Sequence, residues 1–343
     1  MGRFDHYDED SVRTRPGRRN SRPRTKERPA HEDAEIAMVT GVDRGRYTTR
    51  LDGRAVMAMR AREVGRRAIV VGDRVAMVGD LSGDTDSLAR IVRVLERDTV
   101  LRRSADDSDR VERVIVANAS QLAIVTALAD PEPRPRMIDR CLVAAYDAGL
   151  DPLLVLTKAD LADPAPLIEQ YAALAVPHVV LAFAPQGPDS PAGAVARPGD
   201  TLAAVHEHLR DRVTVLVGHS GVGKSTLVNE LVPSAARATG VVNDVTGRGR
   251  HTSTSALALP LVDGGWVVDT PGVRSFGLGH IDPATFVEHF ADLAPGAAGC
   301  PRGCSHDEPH CALDAFVASG AAGSTGAVRL ESLRRLLRSR TSE

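Results

Sequence analysis

Gly218-His219-Ser220-Gly221-Val222-Gly223-Lys224-Ser225-Thr226 follows the apolar run Val213–Val217 and leads into the run Leu227–Leu231. This is the GxxxxGK[ST] pattern in the strand–loop–helix setting its chemistry requires. The glycines let main-chain N–H groups turn inward around α- and β-phosphates. The helix that starts there points its positive end at the same groups. In that role Lys224 reaches the β- and γ-phosphates, both as binder and as catalytic cation, and the Ser225 hydroxyl ligates Mg²⁺. A glycine-rich turn arising by chance needs neither the lysine, the hydroxyl nor both flanking elements. The pattern therefore sets the fold class of the central region: an α/β domain around a mainly parallel sheet.

Two further motifs fit the same domain. Trp266-Val267-Val268-Asp269-Thr270-Pro271-Gly272 is an apolar strand ending in Asp-x-x-Gly, forty-five residues after Lys224. Asp269 suits a Walker-B carboxylate on the Mg²⁺ side, and the Gly272 N–H is placed to sense a γ-phosphate. The next residue is Val273. Many nucleotide hydrolases carry there a glutamine that orients the attacking water. Valine cannot do this, so another group must orient the water. Leu153-Leu154-Val155-Leu156-Thr157-Lys158-Ala159-Asp160 is a buried-type strand ending in Thr-Lys-x-Asp. The Asp160 carboxylate suits the N1–H and exocyclic amine of guanine, a donor pair that adenine lacks. The Lys158 stem suits a purine face. Thr157 stands where Asn is commoner, and its hydroxyl can still brace the loop.

The order of these motifs is unusual. Base recognition precedes the phosphate-loop lysine by 66 residues (158 to 224) rather than following it. The sheet can still form, because topology requires only that the strands become neighbours. The consequence is that the Asp269–Gly272 loop leads directly into the C-terminal segment.

Outside this region the 343 residues have other textures. Residues 1–34 form a basic arm: eight of the eighteen residues from Ser11 to Arg28 are Lys or Arg. It reads equally as a solubility tail or as an arm that follows a phosphate backbone. Residues 35–100 carry five β-type runs, Ile36–Val42, Tyr47–Leu51, Ala55–Met59, Ala68–Val78 and Ala89–Leu95. They predict a small barrel, OB-like or SH3-like. Tyr47 is the one aromatic in those runs available for base stacking. Arg44, Arg46, Arg50, Arg54, Arg60, Arg62, Arg66 and Arg67 could meet a phosphate backbone instead. The polar stretch 102–113 reads as a linker to an α/β domain over 114–290, with strands at Gln121–Ala127, Leu153–Leu156, Val176–Leu181, Val213–Val217 and Trp266–Asp269.

Residues 291–343 hold the last two features. Cys300-x3-Cys304-x-His306-x4-Cys311 offers three thiolates and an imidazole, the donor set of a closed structural Zn²⁺ site. His310 is a competing fourth ligand, but its position beside Cys311 makes joint chelation awkward. Cys141 stands alone in an apolar stretch and reads as core. Ala327–Arg340 places Leu330, Leu333, Leu336 and Leu337 on one helical face and five arginines elsewhere. It reads as a packed terminal helix with a solvated basic face, or second as a partner-binding helix.

The net charge of −2 gives no global attraction to nucleic acid, so any such surface must be local. No apolar run approaches the ~20 residues of a membrane span, and the N-terminus lacks a signal-peptide core. A cytoplasmic monomer is expected.

The combination Thr-Lys-Ala-Asp, GHSGVGKST, GRGRHTST (Gly247–Thr254), DTPGVRSF and the Cys/His cluster resembles the RsgA (YjeQ) family, circularly permuted GTPases that assist maturation of the small ribosomal subunit. The resemblance runs over roughly residues 35–340. It implies an N-terminal OB domain, a central permuted P-loop GTPase domain and a mostly helical C-terminal zinc domain. It also implies GTP or GDP with Mg²⁺, one structural Zn²⁺, binding to 16S rRNA, and hydrolysis stimulated by the small subunit. Gly247–Thr254 becomes switch I, in which Thr252, Ser253 or Thr254 ligates Mg²⁺, with Thr252 taken as the ligand. The family's catalytic histidine falls on His251, which answers the lack of a glutamine at Val273. Two departures stand out: the Cys/His gaps are each one residue shorter at the first and last positions, and the strand ending Leu181-Ala182-Phe183-Ala184-Pro185 lacks the family's Ser-Ala brace. The competing reading is a nucleotide-gated RNA-binding module with negligible turnover, and a further one is an ATPase of another P-loop class.

Overall fold

Alternation along the strands dictates which residues meet in each layer. In the segment Gln121–Ala127 every residue is buried, as a parallel strand covered on both faces must be. Leu122 and Ile124 enter one core, and Ala123 and Val125 enter the other. The computed structural model describes residues 31–64, 69–84, 86–103, 113–182, 202–233, 256–270, 276, 278 and 281–339. Residues 33–343 form one compact unit. Of the preceding 32 residues, only His31 and Glu32 are described.

The first five strands are β1 (Glu35–Asp43), β2 (Arg46–Leu51), β3 (Arg54–Arg60), β4 (Arg74–Gly79) and β5 (Ala89–Val94). Their order is β1-β2-β3-β5-β4, and β4 pairs back onto β1, which closes a barrel. The β3–β5 pair is parallel and the other barrel pairs are antiparallel. This is the OB-type arrangement, and it decides between the two barrels anticipated. The run Ala68–Val78 is not one strand: regular pairing begins only at Arg74, after the Gly72 turn. A Cβ on Gly72 would lie 1.9 Å from the Ala117 oxygen, so only glycine fits that approach. Tyr47 is buried in the barrel core with Leu51 and Val56. It is therefore not available to stack on bases. The exposed side of the barrel instead carries Arg46, Arg54 and Arg90 together with Met57 and Met59.

A hairpin of β6 (Val100–Arg103) and β7 (Arg113–Ala117) follows. Arg102, Arg103 and Arg113 thus belong to strands rather than to a linker. Ala117 N donates to the Val71 oxygen at 2.9 Å and Asn118 Nδ2 to the Gly72 oxygen at 2.8 Å, which ties this hairpin to the barrel, and a buried ion pair pins the barrel's own end. Arg97 Nε and Nη2 donate to the two Asp73 oxygens at 2.7 and 2.8 Å, and Val70 N donates to the same carboxylate at 2.8 Å.

The central sheet contains β8 (Gln121–Ala127), β9 (Asp151–Thr157), β10 (His178–Val180), β11 (Val213–Val217), β12 (Leu257–Pro260) and β13 (Trp266–Asp269). Its order is β10-β9-β8-β11-β13-β12, parallel except for β12. Strand β12 carries no motif and was not anticipated. It joins the sheet to the barrel, with Gly41 of β1 opposite Leu257. Helices α1 (Pro135–Asp147) and α2 (Ala165–Ala172) contribute to the core on one face. Helices α3 (Leu202–Leu209) and α4 (Lys224–Leu231) contribute to the core on the other.

The C-terminal part is helical: α5 (Pro283–Phe286), α6 (Ala294–Ala297), α7 (Ala312–Ala318) and α8 (Gly326–Arg338). Leu330, Leu333, Leu336 and Leu337 of α8 are buried in the α1 core, as their spacing predicts. The arginines of α8 do not make a solvated basic face. Arg329 forks onto Asp292 at 2.9 Å through two nitrogens and lies over the Phe290 ring. Arg335 pairs with buried Asp139 and lies over Tyr171. Arg334 and Arg338 bind Asp314 and Asp307. Arg340 lies outside the described residues. Cys141 is buried in α1, and burial pushes its thiol up to about 12, in keeping with a core role. Among the described residues, no helix is long and apolar enough to cross a membrane.

Candidate functional site: a phosphate loop, a base-type loop and a Cys/His cluster

In a parallel sheet the ligand crevice lies beyond the carboxyl ends of the strands, and the three motifs end up there. Thr157 ends β9, Gly218 follows β11, and Asp269 ends β13. Register aligns them: Ala127 of β8 sits opposite Thr157, and Leu216 of β11 sits opposite Asp269.

The loop 218–226 is shaped by its glycines. Gly218 is buried, and a Cβ there would come 2.4 Å from the Val125 oxygen, so the backbone passes β8 at a distance only glycine allows. Gly221 and Gly223 hold φ of +84° and +88°, the left-handed region that L side chains avoid. Gly223 is the cap from which α4 starts, leaving the first N–H groups of the helix without intrahelical partners. Val222 is buried, while Ser220, Ser225 and Thr226 are exposed at the crevice. His219 Nδ1 donates to the Ser220 oxygen at 3.0 Å. Lys224 Nζ stands 3.4 Å from Asp269 Oδ1. Thr270 donates its hydroxyl to the Leu216 oxygen at 2.9 Å and so fixes the end of β13.

The Thr157 hydroxyl, buried, lies 2.6 Å from the Val222 oxygen and 3.3 Å from the Thr126 oxygen. Its single proton belongs to the shorter contact, so threonine supplies the brace that the sequence suggested. Lys158 takes φ +59° and donates through Nζ to the Asp130 oxygen. Ala159 N donates to the Leu181 oxygen at 3.1 Å, which ties this loop to the end of β10 through main chain alone. Asp160 is exposed. His251, Thr252 and Gly272 lie outside the described residues, as do Ser253, Thr254 and Val273.

Sequence reasoning missed the Leu128–Pro133 loop at the end of β8. It supplies the acceptor for Lys158, and Pro131 borders Gly221. A Pro-containing turn at the carboxyl end of a central strand was the available signal.

A second constellation lies between α6 and α7. One ligand atom each from Cys300, Cys304, His306 and Cys311 lies within 4.8 Å of all the others. Cys300 Sγ is 3.6 Å from His306 Nδ1 and 3.8 Å from Cys311 Sγ, and Cys311 Sγ is 3.7 Å from His306 Nδ1. Tetrahedral ligands about 2.0–2.3 Å from one zinc ion would stand roughly 3.5–3.8 Å apart. The donor set and its spacing therefore fit zinc. His306 is buried, while His310 is exposed. Desolvation pushes the Cys304 thiol up to about 12, raises Cys311 and lowers His306. A cation held here must thus offset the desolvation of its own thiolate ligands. Arg334 Nε donates to the His306 oxygen at 2.8 Å, so α8 fixes the loop that carries the imidazole.

A nucleotide-type phosphate loop at a sheet switch point, with strands threaded out of the usual order, defines a circularly permuted P-loop GTPase. Residues 94–279 match the RsgA GTPase family. The small ribosomal subunit biogenesis GTPase RsgA of Pseudomonas syringae pv. tomato is 39% identical over 254 residues, covering 72% of this chain and 68% of that one. The protein of the same name from Gemmatimonas aurantiaca is 36% identical over 258 residues, covering 75% and 80%. The crystal structure of YjeQ from Thermotoga maritima superposes with a TM-score of 0.62 at 25% identity, covering 90% of this chain and 99% of that one. YloQ, a circularly permuted GTPase, matches in fold with a TM-score of 0.60 at 21% identity, covering 92% and 99%. This chain belongs to the RsgA GTPase family.

Proposed function

We propose that this chain binds the small ribosomal subunit through 16S rRNA, assists its late maturation, and hydrolyses GTP at a rate the subunit stimulates. One observation carries the nucleotide half. Segments up to 112 residues apart, from Thr157 to Asp269, meet at the ends of three parallel strands, with Lys224 3.4 Å from Asp269. The subunit half is supported by the names of the relatives.

In this reading Asp160 accepts from the guanine N1–H and amine, and Lys158 lies along the purine. Residues 218–226 surround the phosphates, with His219, Ser220, Gly221, Val222 and Gly223 contributing main chain and Lys224 its charge. Ser225, Thr252 and Asp269 would hold Mg²⁺, which supplies neutralisation of phosphate charge. Gly272 senses the γ-phosphate, and His251 orients the attacking water in place of a glutamine.

Cys300, Cys304, His306 and Cys311 would hold one Zn²⁺, which supplies folding energy to a segment with little core of its own. The exposed arginines of the barrel meet the rRNA backbone. In the same reading the chain acts as a monomer in the cytoplasm, beside the small subunits it serves.

The test is GTP turnover with and without small subunits, for the wild type and His251→Ala. Stimulation that His251→Ala removes is the expected result, and no stimulation would sink the ribosome-linked reading. Val273 favours one second reading, a nucleotide-gated RNA-binding module. Background turnover in both arms, with nucleotide-dependent rRNA binding, would support it.

A further inference from the structure

Arg140 of α1 joins three parts of the chain that are distant in sequence. Its Nε and Nη2 donate to the Phe276 oxygen at 3.1 and 2.6 Å, and its Nη1 donates to the Ser339 oxygen at 2.7 Å. Phe276 lies seven residues beyond Asp269, and its side chain is buried in the α1 core beside Leu278. Ser339, also buried, caps the end of α8. The neighbouring Asp139 pairs with Arg335, one turn earlier on α8, at 3.3 Å. Helix α8 in turn grips the Cys/His loop: Arg334 donates to the His306 oxygen at 2.8 Å, and Arg338 forks onto Asp307 at 2.7 and 2.8 Å. A set of charge-assisted hydrogen bonds and packed helix thus runs from Phe276 to the Cys/His cluster.

We infer that Arg140 is a positioning residue that couples nucleotide state to α8 and the Cys/His segment. The inference rests on the nucleotide site proposed above. A guanidinium is a rigid planar fork. It cannot keep both acceptors if the Phe276 main chain shifts and the Ser339 main chain does not. A shift near Phe276 must therefore either break the fork or be passed to α8. Arg140 meets main-chain oxygens on both sides, so the coupling requires no particular side chain at 276 or 339. Coupling between sites arises when both bias one such shared element.

The experiment follows hydrogen exchange at residues 326–339 in the full chain, loaded with GDP or with a non-hydrolysable GTP analogue. Fluorescent GDP binding and subunit-stimulated turnover are measured on the same samples. Wild type is expected to show a difference in exchange between the two states. Arg140→Met should bind GDP about as tightly as wild type, lose that exchange difference, and lose about tenfold in stimulated turnover while keeping basal turnover. Equal loss of protection in both nucleotide states would mark a merely structural role and overturn the coupling. So would an unchanged difference in the variant, or no difference in wild type. If Arg140→Met melts before assay, Arg140→Lys decides by the same comparison, since it keeps the cation and loses the fork. Failure of the wild type to bind GDP would overturn the nucleotide reading as well, and so is distinct from failure of the coupling alone.

Discussion

The Thr157 hydroxyl donates to the main-chain oxygen of Val222 at 2.6 Å, so the end of β9 holds the phosphate loop directly. Both residues are buried, and the bond crosses 65 positions of sequence. Thr157→Val keeps the shape and removes the donor, leaving a buried carbonyl unpaired at a cost of about 1–3 kcal/mol. The expected outcome is a lower melting temperature and a guanine-nucleotide affinity weaker by roughly tenfold, since loop geometry and binding are linked. Fluorescent GDP titration checks it. Unchanged affinity would remove Thr157 from the site.

Asp160 is exposed at the mouth of the same crevice, where a carboxylate can accept two donors from one base edge. Asp160→Asn exchanges one acceptor for a donor. Guanine then faces a like group, whereas xanthine offers the matching oxygen. A swing from GTP towards xanthosine triphosphate of roughly a hundredfold or more is expected, as a buried hydrogen-bond mismatch commonly costs several kcal/mol. Competition binding with the two nucleotides measures it. If ATP competes as well as GTP against the unaltered chain, the site belongs to another class of P-loop protein.

The motifs were legible because each sits on one short loop, so its chemistry is written in consecutive residues. Gly218, Lys224 and Asp269 needed only the sheet to bring their strands together. What was not legible depends on which face a residue takes or on partners far along the chain. Tyr47 reads as a stacking surface by type, yet it shares strand parity with buried Thr49 and Leu51, and the register turns it inward. The arginines of α8 read as a solvated face because Asp139, Asp292 and Asp307 are nowhere near them in sequence. Strand β12 escaped because four residues flanked by a turn carry little pattern. The barrel was legible as five runs, but its closure depends on β4 returning to β1, which no local signal encodes.

One buried pair ties the approach to β4 to the chain that leaves β5, at the end of the barrel nearest the β6–β7 hairpin. Asp73 is fully buried and Arg97 is 7% exposed. Asp73→Asn leaves a guanidinium buried without its counter-ion. Breaking such a pair from one side costs about 3–5 kcal/mol. Thermal melting should show this as a marked drop, and Arg97→Met combined with Asp73→Leu should recover only part of it, because the apolar pair removes the unpaired charge but leaves Val70 N without its acceptor. A single variant that melts like wild type would show that this end of the barrel is held by other contacts.

Zinc removal should separate the two constellations. The four donors are preassembled, but Cys304 and Cys311 are desolvated, which disfavours their thiolates unless a cation offsets the cost. The segment between α6 and α7 contributes little to the core beyond Cys304 and Cys311. We expect one zinc ion per chain as purified, and none after Cys304→Ser combined with Cys311→Ser. A strong chelator should raise hydrogen exchange across residues 300–318 and extend it into α8, because Arg334 and Arg338 hold their partners only while His306 and Asp307 stay in place. Structural zinc commonly contributes on the order of 10 kcal/mol to the fold around it, so the effect on exchange should be large. GDP affinity should change far less, since Thr157, Lys224 and Asp269 rest on the central sheet, whereas any difference between the GDP and GTP-analogue states that depends on α8 should be lost. Metal analysis finding no zinc in the wild type, or exchange at 300–318 indifferent to chelator, would exclude a structural metal at these four residues.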